Sequence, residues 1–174
     1  ATAGGSTFGP IVDFLTSHSM QLSAELEALL APYPGITRVP VQWAQMDANQ
    51  HINNVVYLQW VEAGRVDYFE QIQMLDIVQN PHGVGPILAS AECKYIYPLI
   101  YPDVVLIGTR CTQVQADRFT LETAIVSAQH QRLAALNTAV VVTLDYRERR
   151  KAPVPASLRT AILRVEEQAG GYLA

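Results

Sequence analysis

The 174-residue sequence has few cysteines, few charged residues and no repeated metal-ligand spacing. Its two cysteines, Cys93 and Cys111, lie inside apolar, strand-like runs. This usage argues against a disulfide framework or a zinc site and suggests a reducing compartment. The four histidines are scattered, with no partner carboxylate or cysteine at ligand spacing: His18, His51, His82 and His130. No metal site and no cofactor are therefore predicted.

Further absences narrow the class of protein. No apolar run approaches the roughly 18 residues that a membrane span needs. The net charge of −4 argues against a general nucleic-acid binder. Neither a glycine-rich phosphate loop nor a nucleophile elbow occurs. The first residue is Ala1, which fits a trimmed chain or a mature protein that has lost a targeting peptide. We expect an intracellular protein of the cytoplasm or the mitochondrial matrix.

The sequence is rich in apolar residues, at 49%, and its length suits one domain with a substantial core. The apolar excess favours subunit interfaces, hence a homodimer or homotetramer. We expect a tail and helical extension over residues 1–35, a domain over 36–160, and a C-terminal helix and tail over 161–174. The extension carries a helical pattern over 10–31, interrupted at 17–19, that is expected to pack on the outside of the domain or on a neighbour.

Residues 37–47 alternate like a strand, which would place Trp43 and Asp47 together on an inward face. A long helix over 54–75 follows, capped by Asn53 or Asn54. One stripe of this helix is predicted to be buried: Tyr57, Val61, Gly64, Tyr68, Ile72 and Leu75. Gly64 in this stripe indicates close approach of another chain segment.

The remaining pattern predicts a loop over 76–86 and four strands, over 87–97, 103–115, 119–129 and 133–146. Short turns between consecutive strands favour antiparallel pairing. A short amphipathic helix over 156–168 closes the chain. The pattern thus predicts an α+β fold in which one curved antiparallel sheet surrounds one long helix.

The junction between the first strand and the long helix is crowded with polar side chains. The N–H groups of the first helical turn can hold a developing oxyanion. Asp47 beside them could attack a carbonyl carbon or activate a water molecule. These parts suit acyl transfer to water, and equally hydration or proton transfer next to a carbonyl.

Each of these residues also has a structural interpretation. Asp47 could cap the turn by accepting from the N–H groups of residues 49–51. His51 is favoured as a hydrogen-bonded turn histidine, and Asn53 and Asn54 as helix caps. Glu62 would pair with Arg65, or would join a site across a dimer interface. A run of cations is a solvated strand end or binds a phosphate-rich ligand such as coenzyme A: Arg147, Arg149, Arg150 and Lys151.

A family resemblance lies in this junction. The segment VQWAQMDANQHINNVVYL (residues 41–58), with Glu62, Ala63, Arg65 and Tyr68-Phe69 after it, resembles the hot-dog-fold acyl-CoA thioesterases. It is most similar to the 4-hydroxybenzoyl-CoA thioesterase group, over residues 37–159. The resemblance implies a five- or six-stranded antiparallel sheet wrapped around one long helix, here with an extra N-terminal helix and a short C-terminal helix. It also implies dimers that pair sheets edge to edge and carry active sites at their interface.

The resemblance assigns roles within the junction. Asp47 matches the catalytic carboxylate, as nucleophile or general base, and the N–H of Asn54 or Val55 matches the donor to the thioester carbonyl. Five residues would support the site: Gln50, His51, Asn53, Tyr57 and Glu62. The coenzyme A phosphates would be met by Arg147, Arg149, Arg150 and Lys151. Many members have glycine at the position of Gln50, so glutamine there alters the turn or places an amide in the pocket.

The expected function is therefore hydrolysis of an acyl-CoA to a free acid and coenzyme A. A first alternative is a non-catalytic hot-dog subunit of a larger assembly that docks through the N-terminal helix. A second alternative is an enoyl-CoA hydratase or dehydratase on the same fold.

Overall fold

The computed structural model describes residues 22–74 and 83–170. Its elements in chain order are helix α1 (Ala24–Leu30), strand β1 (Ile36–Pro40), a 3-10 helix (Trp43–Gln45), helix α2 (Asn54–Gln71), strands β2 (Val84–Tyr95), β3 (Val104–Val114), β4 (Arg118–Ser127), β5 (Arg132–Asp145) and β6 (Arg150–Lys151), and helix α3 (Ala156–Gln168). The first part of the helix predicted over 10–31 and most of the loop predicted over 76–86 lie outside the described residues. No helix in the described part is long and apolar enough to cross a membrane.

All strands form one antiparallel sheet with the order β1-β3-β4-β5-β2, and β6 pairs with the end of β5. The predicted pairing of consecutive strands is correct for β3, β4 and β5 but wrong for β2 and β3. Their connection instead crosses the open end of the sheet, where the Leu99 carbonyl accepts from the Ile52 N–H at 2.8 Å. Leu99 is fully buried there. The connection therefore lies beside the junction that precedes α2.

Helix α2 fills the concave side of the sheet, as the pattern predicts. Its first half packs Val56, Tyr57, Trp60 and Val61 against Val105, Ile107 and Ile125. A Cβ added at Gly64 would lie 2.6 Å from Ile107 Cγ2, so glycine is what lets the helix approach β3 this closely. The helix ends at Gln71 rather than near Leu75, because Gln73 adopts a left-handed backbone with φ of 57°.

The convex side of the sheet is covered by the described part of the N-terminal extension. Leu26 and Leu30 of α1, with Tyr33 after it, pack on a patch of β3 and β4 that comprises Leu106, Ala124 and Val126. The Tyr33 hydroxyl donates to Glu122 at 3.0 Å. The prediction of packing on the outside of the domain is confirmed for these residues.

The far end of α2 is closed by α3, whose Leu158, Ile162 and Val165 join Phe119 and Val141 in one cluster. A single carboxylate oxygen, Glu166 Oε1, accepts from the Tyr68 hydroxyl at 2.6 Å and from the Cys111 N–H at 2.7 Å. Burial raises the pKa of Glu166 above its ordinary value, against the effect of these two donors. The buried carboxylate ties α3 to both α2 and β3.

One prediction about the segment before the junction is wrong. Strand β1 ends at Pro40, and the Val41 N–H still donates to the Asp103 carbonyl at 2.9 Å before the chain turns away. The chain then turns through a 3-10 helix that begins after Gln42, whose N–H donates to Gln45 Oε1 at 2.8 Å. Trp43 is consequently 71% exposed and does not point into the core. The strand alternation does not extend to Asp47.

Candidate active site

Asp47 stands in a tight turn that joins the 3-10 helix to α2. Its N–H donates to the His51 carbonyl at 2.8 Å, and its carbonyl accepts from the Gln50 N–H at 3.0 Å. Gln50 holds a left-handed backbone with φ of 60°. Glycine adopts this conformation at no steric cost, whereas an L side chain does so less readily. Gln50 therefore keeps the turn that glycine would make, at a small conformational cost.

The Asp47 carboxylate has one oxygen in the turn and one outside it. Oδ1 accepts from the Asn49 N–H at 2.8 Å, so the predicted capping role is real. Oδ2 has no hydrogen-bond partner among the residues that the structure describes. The side chain is only half-buried, so this second oxygen can be reached by a ligand.

Of the two N–H donors predicted at the mouth of α2, one is bonded within the described residues and the other is not. Asn53 caps the helix, and its Oδ1 accepts from the Val55 N–H at 3.0 Å. The Asn54 N–H donates to no other atom of residues 22–74 or 83–170. Of the two candidates, the Asn54 N–H is thus the donor that is left for a ligand.

Tyrosines from the edge strand and from α2 line the mouth. The Tyr57 hydroxyl accepts from the Leu99 N–H at 3.1 Å and is 3.4 Å from the Tyr97 carbonyl. The Tyr95 hydroxyl donates to the Asn54 carbonyl at 3.2 Å, and its ring meets that of Tyr57 edge-on at 5.2 Å. Sequence reasoning missed Tyr95, because a residue in a strand pattern 41 positions after Asn54 gives no signal of this contact.

Two clefts meet at Asp47 and His51. The larger, which we call the tryptophan cleft, has a volume of about 770 Å³ and is lined also by Trp43, Ala44, Met46, Asn49, Gln50, Ile100 and Tyr101. The smaller, which we call the tyrosine cleft, has a volume of about 320 Å³ and is lined also by Ile52, Asn54, Tyr57, Tyr95, Ile96, Tyr97 and Pro98. The His51 imidazole, exposed between them, makes no hydrogen bond to a described residue, so only its backbone is bonded in the turn.

Other predicted site residues lie apart from this junction. Glu62 is exposed on α2, and the predicted ion pair with Arg65 is wrong, since none forms within the described residues. The cations at 147–151 follow the end of β5. Tyr95, which lines one cleft with Asp47, pairs with Ala135 of β5, whereas Val84 at the other end of β2 pairs with Asp145. The ten residues of β5 between these two pairs span about 33 Å. Within one chain, the run therefore lies far from Asp47.

A different cation is near the tyrosine cleft. The Arg132 guanidinium stands over the Tyr97 ring, 5.1 Å from its centroid, and the His130 ring packs against the same tyrosine at 5.3 Å. Sequence reasoning did not select Arg132, which looks like an ordinary strand-start residue. Three or more side chains that could hold a metal ion do not cluster anywhere in the described part of the chain.

A curved antiparallel sheet around one helix, with an acid at the helix mouth, defines a hot-dog protein of the thioesterase class. The model of the thioesterase-like superfamily matches residues 41–162, most of the chain. The chain belongs to this superfamily. The resemblance, the fold and the enzyme class predicted from the sequence are thereby confirmed.

Individual relatives agree with this membership. The chain is 21% identical over 123 residues to the long-chain acyl-CoA thioesterase FadM of Escherichia coli, over 71% of this chain and 92% of the relative. A thioesterase from Thermus thermophilus, solved with coenzyme A and zinc, is 28% identical with a TM-score of 0.69, over 78% of this chain and 96% of its own. A thioesterase superfamily protein from Jannaschia is 23% identical with a TM-score of 0.72, over 91% and 99%, and shows the fold alone.

Proposed function

We propose that this chain hydrolyses acyl-CoA thioesters, with Asp47 as the nucleophile or general base and the Asn54 N–H as the oxyanion donor. The thioester carbonyl would lie between Asp47 Oδ2 and the Asn54 N–H. Asp47 would take a proton from an attacking water molecule, or attack the carbonyl carbon itself and be released by water. Either route breaks the carbon–sulfur bond. The water molecule supplies the hydroxyl group of the free acid and the proton that converts the departing thiolate of coenzyme A to the thiol.

One observation carries this proposal: Asp47 and Asn54 line the same cleft, and neither Asp47 Oδ2 nor the Asn54 N–H has a hydrogen-bond partner among the described residues. The helix N-terminus contributes a positive partial charge where negative charge develops on the carbonyl oxygen. The Tyr95 hydroxyl, bonded to the Asn54 carbonyl, fixes the first turn that carries this donor.

The test is Asp47→Asn, measured as thiol release from a panel of acyl-CoAs. Turnover should fall by about three orders of magnitude, because the amide cannot act as a base or nucleophile. The control is Glu70→Gln, which removes an exposed carboxylate of α2 that lines neither cleft. Equal turnover of Asp47→Asn and the wild-type chain would falsify the role of Asp47.

The distant cations fit this function if two chains pair through their β2 edges. Strand β2 ends the sheet, with most of residues 89–96 exposed. Antiparallel pairing of two such edges brings the start of one β2 beside the end of the other. The partner's Arg147 and the partner's Arg149 would then lie near the tyrosine cleft of the first chain.

This assembly has a direct test. Arg147→Glu with Arg149→Glu should raise KM for an acyl-CoA while leaving KM for the matching acyl-pantetheine, which lacks the nucleotide phosphates, unchanged. The oligomeric state should remain dimeric or tetrameric by light scattering. A monomeric wild-type chain, or equal effects on both substrates, would contradict the arrangement.

The alternative of a non-catalytic subunit needs a free docking helix. The described part of the extension uses its apolar face, with Leu26 and Leu30, on the convex face of its own sheet. This packing favours a structural role for α1 within the chain.

A further inference from the structure

The tryptophan cleft is lined by large apolar side chains that are exposed to solvent. Trp43 is 71% exposed, more than any other large hydrophobic side chain in the described part, and Ile100 is 41% exposed. Such side chains are normally buried, and where they gather in a concave site they mark a ligand surface. The volume of about 770 Å³ falls within the range of small-molecule sites.

The charge that distinguishes the two clefts lies behind the lining of one of them. Apart from the shared Asp47 and His51, neither cleft is lined by an acidic or basic side chain. At the tyrosine cleft, the Arg132 guanidinium stands over Tyr97. A ligand with one anionic arm and one apolar arm would therefore place the anionic arm toward Tyr97 and the apolar arm along Trp43.

We infer that the tryptophan cleft binds the acyl group of the substrate, and that this acyl group is a large apolar one. This inference rests on the proposed function, which puts the thioester carbonyl where the two clefts meet. From that point, the pantetheine arm follows the tyrosine cleft that contains Asn54, and the acyl arm follows Trp43 and Ile100. An acetyl group would leave most of the tryptophan cleft in water, so large apolar acyl groups gain the most from it.

Binding can be followed in the chain itself, because it has two tryptophans and Trp60 is only 3% exposed. The full-length Asp47→Asn variant, which keeps the substrate intact, is titrated with decanoyl-CoA, acetyl-CoA and free coenzyme A. Decanoyl-CoA should shift Trp43 emission to the blue and protect it from iodide, whereas acetyl-CoA and coenzyme A should not. Equal protection by coenzyme A, or decanoyl-CoA binding by calorimetry without protection, would overturn the assignment.

A kinetic arm uses Trp43→Ala and Ile100→Ala in the otherwise unchanged chain. Each should lower the ratio of kcat/KM for decanoyl-CoA over acetyl-CoA at least about tenfold, the effect of a lost apolar contact in a pocket. The control is Leu163→Ala, on α3, where leucine is 41% exposed and lines neither cleft. This control should leave the ratio unchanged.

The outcomes separate the two claims. If the wild-type chain hydrolyses no thioester but decanoyl-CoA still protects Trp43, the proposed hydrolysis is wrong and the acyl assignment stands. If the wild-type chain hydrolyses both thioesters and the variants lower both equally, hydrolysis stands and the acyl assignment is wrong.

Discussion

The two ends of helix α2 use similar groups for opposite purposes. At the mouth, Asp47 is half-buried, its Oδ2 has no partner among the described residues, and the Tyr95 hydroxyl donates to the Asn54 carbonyl. At the far end, Glu166 is 1% exposed, and one of its oxygens accepts from both Tyr68 and Cys111. Each end thus has a carboxylate and a tyrosine, but the two groups are bonded to each other at the Glu166 end, whereas Asp47 faces two clefts.

The difference teaches where this fold can tolerate unpaired polar groups. Water satisfies an unpaired oxygen or N–H at the mouth at little cost, and a substrate can later replace that water. At the buried far end, leaving the Tyr68 hydroxyl or the Cys111 N–H without its acceptor would cost about 1–3 kcal/mol. The same helix therefore anchors the core at one end and offers chemistry at the other.

The largest effect on stability is expected from Glu166→Ala. The change leaves the Tyr68 hydroxyl and the Cys111 N–H without their acceptor in the core. The free energy of unfolding should fall by about 2–4 kcal/mol in urea titrations. Activity per folded molecule should be retained, in contrast to Asp47→Asn.

Glu167→Ala is the control for this change, since Glu167 is the exposed neighbour on the same helix. It should alter the free energy of unfolding by less than about 0.5 kcal/mol. Equal losses from the two variants would mean that helix propensity, and not the buried acceptor, accounts for the effect.

Glu166 should also make stability depend on pH. Burial raises its pKa above the ordinary value of 4.5, so the folded chain holds this proton more tightly than the unfolded chain. The contribution of Glu166 to the unfolding free energy is therefore greatest at low pH. It falls by at most about 1.4 kcal/mol per pH unit as pH rises from the unfolded to the folded pKa.

The measurement compares the wild-type chain with Glu166→Gln, which cannot titrate, by urea unfolding from about pH 4 to about pH 8. The difference in unfolding free energy, wild type minus variant, should fall as pH rises and then level off. A difference that stays constant over this window would show that Glu166 does not change its protonation on unfolding.

Local sequence pattern was sufficient for most of the fold. The buried stripe of α2 has a period of about 3.6 residues, and the strands β3 to β5 are rich in β-branched residues. It was insufficient at Trp43, because alternation cannot show that the ladder stops at Pro40 and a 3-10 turn begins. The place of β2 beside β5 depends on a crossing connection, which local patterns do not encode.

The site divides in the same way. Asp47 and the Asn53 cap could be predicted, since each acts on backbone within two residues of itself. Tyr95 and Arg132 could not, because they reach the mouth from the end of β2 and the start of β5. Contacts between distant strands require the register, which sequence spacing alone does not give.

A smaller effect on stability is expected at the mouth from Asn53→Ala. The change removes the acceptor of the Val55 N–H and should lower the free energy of unfolding by about 1 kcal/mol. Asn54→Ala is its control, because the Asn54 side chain makes no hydrogen bond in the described part of the chain and its N–H survives the change. Loss of activity in Asn54→Ala would contradict a main-chain donor.

The smallest effect should come from a pair of glutamines that bracket α2. Gln50 before the helix and Gln73 after it both hold left-handed backbones, with φ of 60° and 57°. Glycine relieves this conformation but adds entropy to the unfolded chain, so each change to glycine should raise stability by about 0.5 kcal/mol or less. Only Gln50 lines the tryptophan cleft. Gln50→Gly should therefore alter KM for long-chain thioesters while Gln73→Gly should not, and identical KM values in thiol-release assays would show that the Gln50 amide does not touch the substrate.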